Sequence, residues 1–329
     1  MSNTVAVPPQ VLQFGFSSAD PSRAVDFYCQ ALGFEPRETL QIEGGSYGEL
    51  LGLPQGSFRL TRLQLGQETL EILTLHQADA NQPAGRPIPA DSRSCDLWFQ
   101  HLCLVTSDLD AALARLQPAL ACGLAQAVSR APQTLPDWNQ AAAGIRAFKF
   151  RDPDGHNLEL LEFPADKGDA RWHQGSGLLG IDHSAISIAD TALSCRFYDG
   201  LLGLRLGGDG INSGPTQDDL DNLEQTRVRI TGHRCPQGAG IECLDYQPPN
   251  RGRPMPADLS PADLAHWQIR LQVNDLTAIA AQIEALGGRL LSPGVVHLAA
   301  QGNALGFNHA LQVADPDGHR LQLVQRGCP

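Results

Sequence analysis

WFQHLCLVTSD, Trp98 to Asp108, opens apolar, presents a histidine at 101, alternates as a strand does, and ends on an aspartate suited to cap a helix. Three other stretches share this outline: Val11–Asp20, Ile181–Asp190 and Trp267–Asp275. Aligned on the capping aspartates Asp20, Asp108, Asp190 and Asp275, they place Gln13, His101, His183 and Gln268 at one position, each seven residues ahead of its aspartate. The side-chain period of a strand fixes which face a residue takes, so these four should point the same way in their units.

Working outward, each strand leads into a helical pattern and then into further strands. In the first unit Asp20-Pro21 reads as N-cap and first helical residue, Ala24, Val25, Tyr28 and Leu32 recur at helical spacing, and Gly33 stops the helix. Phe58–Leu63 and Thr69–Leu73 read as strands. The second unit runs from the His101 strand through a helix carrying Leu109, Ala112, Leu113 and Leu116 to strands at Ala147–Phe150 and Asn157–Phe163, around the turn Asp152-Pro-Asp-Gly155. The polar, glycine-bearing stretch Pro164–Gly177 marks a boundary, giving two halves, residues 1–170 and 176–329. The second half replays the first. Phe197-Tyr198 and Gly203 follow Asp190 as Phe27-Tyr28 and Gly33 follow Asp20, Gly252–Asp258 matches Gly85–Asp91 without a gap, and Asp315–His319 repeats Asp152–His156. So many matches in one order indicate duplication. Gly207–Gln225 is less regular and reads as a loop or flap.

The chain of 329 residues is 42% hydrophobic and 18% charged, enough for ordinary packed cores. A net charge of -12 argues against a nucleic-acid backbone or an anionic membrane as partner, because both require clustered Lys and Arg. No apolar run is long enough to span a bilayer, and Met1–Gln10 lacks the basic and apolar regions of a signal peptide. The 8 cysteines form no CxxC pair, and Cys103, Cys195 and Cys243 fall within helical or strand patterns, so free thiols and a cytoplasmic location are expected. The expected partner is a small-molecule substrate, and the chain a monomer or homodimer.

The closing strands define a second repeated position, Glu71, Glu159, Glu242 and Gln322. One strand histidine is more often structural than ligating, and one strand glutamate more often pairs with an arginine. Equivalent placement in repeated units changes that balance. A curved sheet drawing such residues together from two units would make an open imidazole–carboxylate site suited to Zn, Ni, Co, Mn or Fe. His266, two residues ahead of Gln268, could take its place, but fits better as a structural residue at a strand entrance. His156 and His319 fall in turns and are expected at the surface. Trp98 and Trp267 are expected in the core or at its rim.

Asp20-Pro-Ser-Arg-Ala-Val-Asp-Phe-Tyr with Leu32-Gly-Phe34, and Asp152-Pro-Asp-Gly-His-Asn-Leu-Glu159, resemble the opening and the ending of a vicinal-oxygen-chelate module. That superfamily includes glyoxalase I, extradiol dioxygenases, epimerases and metal-free drug-binding proteins. The resemblance covers nearly the whole chain and implies an α+β fold of four βαβββ modules, paired into two curved mixed sheets with helices outside. It also implies metal ligands at the two repeated positions. Pairing in chain order would gather Gln13, Glu71, His101 and Glu159 in one site, and His183, Glu242, Gln268 and Gln322 in the other. Crossed pairing would gather His101, Glu159, His183 and Glu242, leaving the neutral amides to the second site. The crossed set is favoured because it places both histidines and two glutamates together.

Three functions compete. The first is a divalent-metal-dependent lyase or isomerase resembling glyoxalase I, acting through an enediolate-like intermediate; the resemblance implies that Glu159 or Glu242 leaves the metal and acts as the proton-moving base. The second is an iron-dependent extradiol dioxygenase using His101, His183 and Glu159, against which Glu242 counts as an extra ligand. The third is a metal-free binding or resistance protein. No phosphate-binding glycine loop appears, since Gly207-Gly208 lacks a strand–helix context.

Overall fold

The computed structural model describes residues 7–76, 85–298 and 301–325. The first six residues of the polar stretch Met1–Gln10 lie outside the described residues. The first unit comprises β1 (Gln10–Ser17), α1 (Pro21–Leu32), β2 (Glu35–Glu43), α2 (Gly45–Leu50), β3 (Ser57–Leu65) and β4 (Glu68–His76). The second comprises β5 (Gln100–Thr106), α3 (Leu109–Ala121), β6 (Gln126–Ala127), β7 (Gln133–Thr134), β8 (Arg146–Arg151) and β9 (Asn157–Glu162). The third holds β10 (Leu178–Ile188), α4 (Thr191–Cys195) running into a wider helical turn, β11 (Arg205–Ser213), α5 (Pro215–Asp221), β12 (Arg227–Arg234) and β13 (Gly240–Tyr246). The fourth holds β14 (Trp267–Gln272), α6 (Leu276–Ala280), β15 (Arg289–Leu290), β16 (Val296–His297), α7 (Gly302–Leu305), β17 (His309–Ala314) and β18 (Arg320–Gln325).

The four aspartates cap as their positions require. Asp20, Asp108, Asp190 and Asp275 each accept a hydrogen bond from the backbone N–H three residues on, at 2.9–3.0 Å. Gly207–Gln225 departs from the expected loop, since it contains β11 and α5. Among the described residues β11 is a sheet edge paired only with β12, and several of its residues are exposed, so it carries no apolar alternation to betray it.

Two mixed sheets result, and each is assembled across the halves of the sequence. β1 of the first unit pairs antiparallel with β14 of the fourth, giving the order β15-β17-β18-β14-β1-β4-β3-β2. β5 of the second unit pairs antiparallel with β10 of the third, giving β11-β12-β13-β10-β5-β9-β8-β6. The main apolar core draws on all four units, including Phe27 and Tyr28 of α1, Leu116 of α3, Phe197 and Ile279.

The crossed assembly has a visible clasp. Arg86, between the first two units, binds Asp263, just ahead of β14, at 2.7 Å and also bonds Asp258. Its duplicate Arg253 binds Asp96 at 2.8 Å and Asp91 at 3.0 Å. The preceding glycines allow the approach: a Cβ at Gly85 would overlap the Ala262 carbonyl, and one at Gly252 the Cys95 carbonyl. The sheets are also tied by the repeated motifs themselves. Tyr28 donates to Asp152 at 3.2 Å and Tyr198 to Asp315 at 2.8 Å, so each Phe-Tyr motif locks onto an Asp-Pro-Asp-Gly turn of the other sheet.

The duplication is imperfect at one charge. Arg23 pairs with Asp154 at 2.9 Å, but the third unit has Leu193 where the first has Arg23. Asp317, the counterpart of Asp154, is pushed up to about 6 by burial and by Asp315. A carboxyl raised in the folded state is stabilising when protonated and progressively destabilising as pH rises from its unfolded value, about 3.9, towards 6. Asp317→Asn is therefore expected to melt higher than wild type at pH 7.5, with the difference shrinking below pH 5, as thermal melts across that range would register. A constant difference would show that the charge is not the cause.

Candidate metal centre

In each sheet the position two residues beyond Gln13, His101, His183 or Gln268 lies directly across from the histidine or glutamine of the partner strand. Ala185 lies opposite both His101 and Glu242, and Cys103 lies opposite both His183 and Glu159. These small floor residues leave room between the four longer side chains. His101 and Glu159 from the second unit, and His183 and Glu242 from the third, come together there, while Gln13 and Glu71 lie in the other sheet.

His101 Nε2 lies 3.3 Å from Glu159 Oε2, and His183 Nε2 lies 3.3 Å from Glu242 Oε2. Neither contact has hydrogen-bond geometry, and both Nε2 atoms are buried without a hydrogen-bond partner among the described residues. Donor atoms of His101, Glu159 and His183 all lie within 4.8 Å of one another. Two donors held at about 2.1 Å from one ion sit about 3.0–3.4 Å apart, so the spacing and the orphaned nitrogens fit a divalent cation. Behind His183, Asp182 accepts from Nδ1 at 2.8 Å, which aims the Nε2 corner of the ring into the cup. Asp182 is itself held by Arg234 at 2.8 Å and by the Trp172 indole N–H at 3.1 Å.

The charges follow from this packing. Burial lowers His101 below the ordinary imidazole range despite Glu159. Burial also acts on His183, but Glu242, Cys103 and Asp182 outweigh it and hold that ring well above the ordinary value. Burial opposes ionisation of Glu159, yet His101 and Lys149 bring it down to about 2. Glu242 is likewise held low, His183 outweighing burial.

The equivalent cup between the first and fourth units is closed. Its floor position on β14 is Arg270, whose guanidinium donates to Gln322 Oε1 at 2.6 Å and to Glu71 Oε1 at 3.0 Å. Arg62 reaches Glu71 from the other side at 3.0 Å, and Phe307 covers the Arg270 guanidinium at 4.8 Å. Tyr47, Leu305 and Phe307 pack over the cup as part of a separate apolar cluster. A cation is therefore already supplied, by the chain itself. The other close grouping of such donors among the described residues is Cys195, Asp199 and His233, where His233 Nδ1 already bonds Asp199 at 2.8 Å.

The first cup opens into a cavity of about 260 Å³. Aliphatic walls come from the second unit (Leu135, Ile145, Leu161) and the third (Val228, Ile230, Leu244). Asn139 Nδ2 donates to Asn212 Oδ1 across them at 2.5 Å. Sequence reasoning missed Asp182, Arg270 and Lys149. Arg270 was visible as the one large residue at a floor position otherwise held by Gly15, Cys103 and Ala185, and Lys149 as the charge inside Phe148-Lys149-Phe150.

Five other residues are now placed. His156 and His319 are buried, not at the surface as their turns suggested. His156 bonds Asp152 within its own turn, but it is also stacked on Phe16 and bonded to the Leu264 carbonyl, and His319 is bonded to the Ser187 carbonyl, contacts distant in sequence that a turn reading does not reveal. His266 is buried and burial keeps it neutral, outside the cluster of His101, Glu159 and His183. Trp98 and Trp267 are buried, as expected.

The family model of the Glyoxalase/Bleomycin resistance protein/Dioxygenase superfamily matches residues 10–160 and 180–323, and the chain belongs to that superfamily. No curated protein matches it by sequence. Among solved structures it resembles glyoxalase I from Zea mays, with a TM-score of 0.60 and 14% identity over 96% of this chain and 92% of that one. A single-residue mutant of the same enzyme aligns with a TM-score of 0.61 and 14% identity over 97% and 94%. A putative dioxygenase from Bacillus subtilis aligns with a TM-score of 0.56 and 14% identity over 98% and 87%. At such identities the likeness is one of fold. Among the described residues, no helix is long and apolar enough to cross a membrane.

Proposed function

We propose that the protein is a divalent-metal-dependent lyase or isomerase acting on a small substrate with adjacent oxygen atoms, with His101, Glu159, His183 and Glu242 as the metal-holding set. The observation that carries this reading is the pair of buried, unpartnered Nε2 atoms, each 3.3 Å from a carboxylate oxygen at the base of one cavity. A divalent Zn, Ni, Co, Mn or Fe ion bound there would supply Lewis-acid stabilisation of negative charge developing on the substrate oxygens. Glu242 is the better-placed base: its side chain is 23% exposed against 8% for Glu159, so it faces the cavity. Held ionised beside His183, it takes a proton from the carbon next to a substrate carbonyl and returns it to the neighbouring atom. Glu159, more deeply buried, stays with His101.

A second reading rests on the tight grouping of His101, Glu159 and His183, a two-histidine, one-carboxylate set that also suits iron-dependent oxygenases. Elemental analysis of protein purified without chelator, then a screen of hemithioacetals, catechols and 2-oxo acids in an oxygen electrode, separates the two. We expect about one metal equivalent and turnover without oxygen uptake. Catechol-dependent uptake would promote the oxygenase reading, and a protein that takes up none of the five metals would remove both.

A further inference from the structure

Lys149 lines the same cavity, yet neither the proposed metal set nor the proposed base uses it. It stands on β8 directly across from Glu159 on β9, so its side chain shares the cup face. Its side chain is buried, and among the described residues its ammonium hydrogen-bonds only to Asp221 Oδ1, at 2.7 Å. An ammonium carries three donors, so two are left without a hydrogen-bond partner among the described residues; the Phe99 ring lies 6.0 Å from Nζ, and the cavity adjoins the rest of the side chain. Asp221 is fixed in turn: Tyr246 donates to its Oδ2 at 2.9 Å and Gln217 Nε2 at 2.7 Å. The cation is thus set in a socket built from the other unit of the sheet. Burial works against the Lys149 charge, and the Asp221 carboxylate held at 2.7 Å supports it. A buried ion pair serving only as a tie between β8 and α5 would gain little over an apolar pair of the same size, because desolvation consumes most of the attraction. Beside a cavity, a positioned charge with spare donors marks a binding group.

We propose that Lys149 is a substrate-binding residue that receives a carboxylate lying next to the metal-chelating oxygens, so that the substrate is a compact oxygenated carboxylic acid. This rests on the metal-chelate reading above. Arg234, the other cation lining the cavity, is paired with Asp182, and the remaining walls are largely aliphatic. The site therefore offers one anchor for one carboxylate, and little polar surface for a large polar substrate.

Catechol and 2,3-dihydroxybenzoate make a matched pair of probes: both present adjacent oxygens, and only the second adds a carboxylate beside them. Zinc-loaded protein, which does no oxygen chemistry, would be titrated with each by calorimetry. Wild type is expected to bind 2,3-dihydroxybenzoate about 10- to 100-fold more tightly than catechol, the range for a hydrogen bond to a charged group. Lys149→Met alone would orphan the buried Asp221, so the test variant is Lys149→Met with Asp221→Asn, its folding checked by thermal melt. Zinc content and catechol affinity should persist in it while the preference for the carboxylate disappears, and Lys149→Arg should keep part of that preference. The assignment of Lys149 is overturned if wild type shows no such preference, if the double variant retains it, or if catechol binding is lost along with it. Failure of zinc-loaded wild type to bind catechol at all would instead bring down the metal-chelate reading, and the inference with it.

Discussion

His183→Ala is expected to reduce the metal content of the purified protein from about one equivalent to near zero, and His101→Ala to do the same, while Gln13→Ala leaves it unchanged. The expectation follows from the sheet pairing. His101 and Glu159 reach the cup on β5 and β9, His183 and Glu242 on β10 and β13, and Gln13 stands in the other sheet. Loss of a group that merely orients a ligand typically costs about 10- to 100-fold in metal affinity, so loss of a ligand itself should exceed that. Asp182→Asn provides the intermediate case: it keeps the His183 ring but weakens the acceptor that orients it. Elemental analysis after gel filtration, with a competing chelator to rank the variants, would give the order wild type and Gln13→Ala, then Asp182→Asn, then the two histidine variants. Metal retained by His183→Ala at the wild-type level would falsify the four-residue set, whatever the reaction turned out to be.

What the chain disclosed before its structure, and what it withheld, divides along the range of the interactions. The seven-residue interval from His101 to Asp108 was readable because strand alternation and helix capping are local rules, and the structure keeps all four caps. The repeat of Phe-Tyr and Asp-Pro-Asp-Gly was readable as duplication. That Tyr28 would bond to Asp152 was not, because 124 residues separate them. The choice between crossed and chain-order pairing turned on contacts such as Arg86 with Asp263, for which a charge pattern alone names no partner. The Lys149 socket was hidden for a related reason. Asp221 ends α5, inside the stretch whose edge strand and short helix leave no apolar period. The buried turn histidines were misread because a turn signal reports on backbone geometry and says nothing of what packs against it.

The closed cup makes the opposite demand on its charges. Glu71→Gln is expected to destabilise the protein by about 3–5 kcal/mol, the usual cost of removing one partner from a buried ion pair. Arg270 would be left with no carboxylate although its side chain is only 3% exposed, and Arg62 would lose its buried partner. Burial works against the Glu71 charge, but Arg270 and Arg62 prevail and hold its carboxyl below the ordinary range. A carboxyl lowered on folding stabilises above its unfolded value and loses that contribution as pH falls through its folded value. The melting difference between wild type and Glu71→Gln should therefore be full at neutral pH and close in acid. Metal content, which the proposed set assigns to the other sheet, should not change. Arg270→Ala isolates the remaining question, whether the guanidinium alone keeps an ion out of this cup. Once it is removed, Gln13, Glu71, Gln268 and Gln322 offer a single carboxylate among neutral amides, a weak set for any of the metals considered. The metal content of Arg270→Ala should therefore stay near that of wild type. A rise towards two equivalents would show that one side chain, rather than the loss of the histidines, separates the closed cup from the open one.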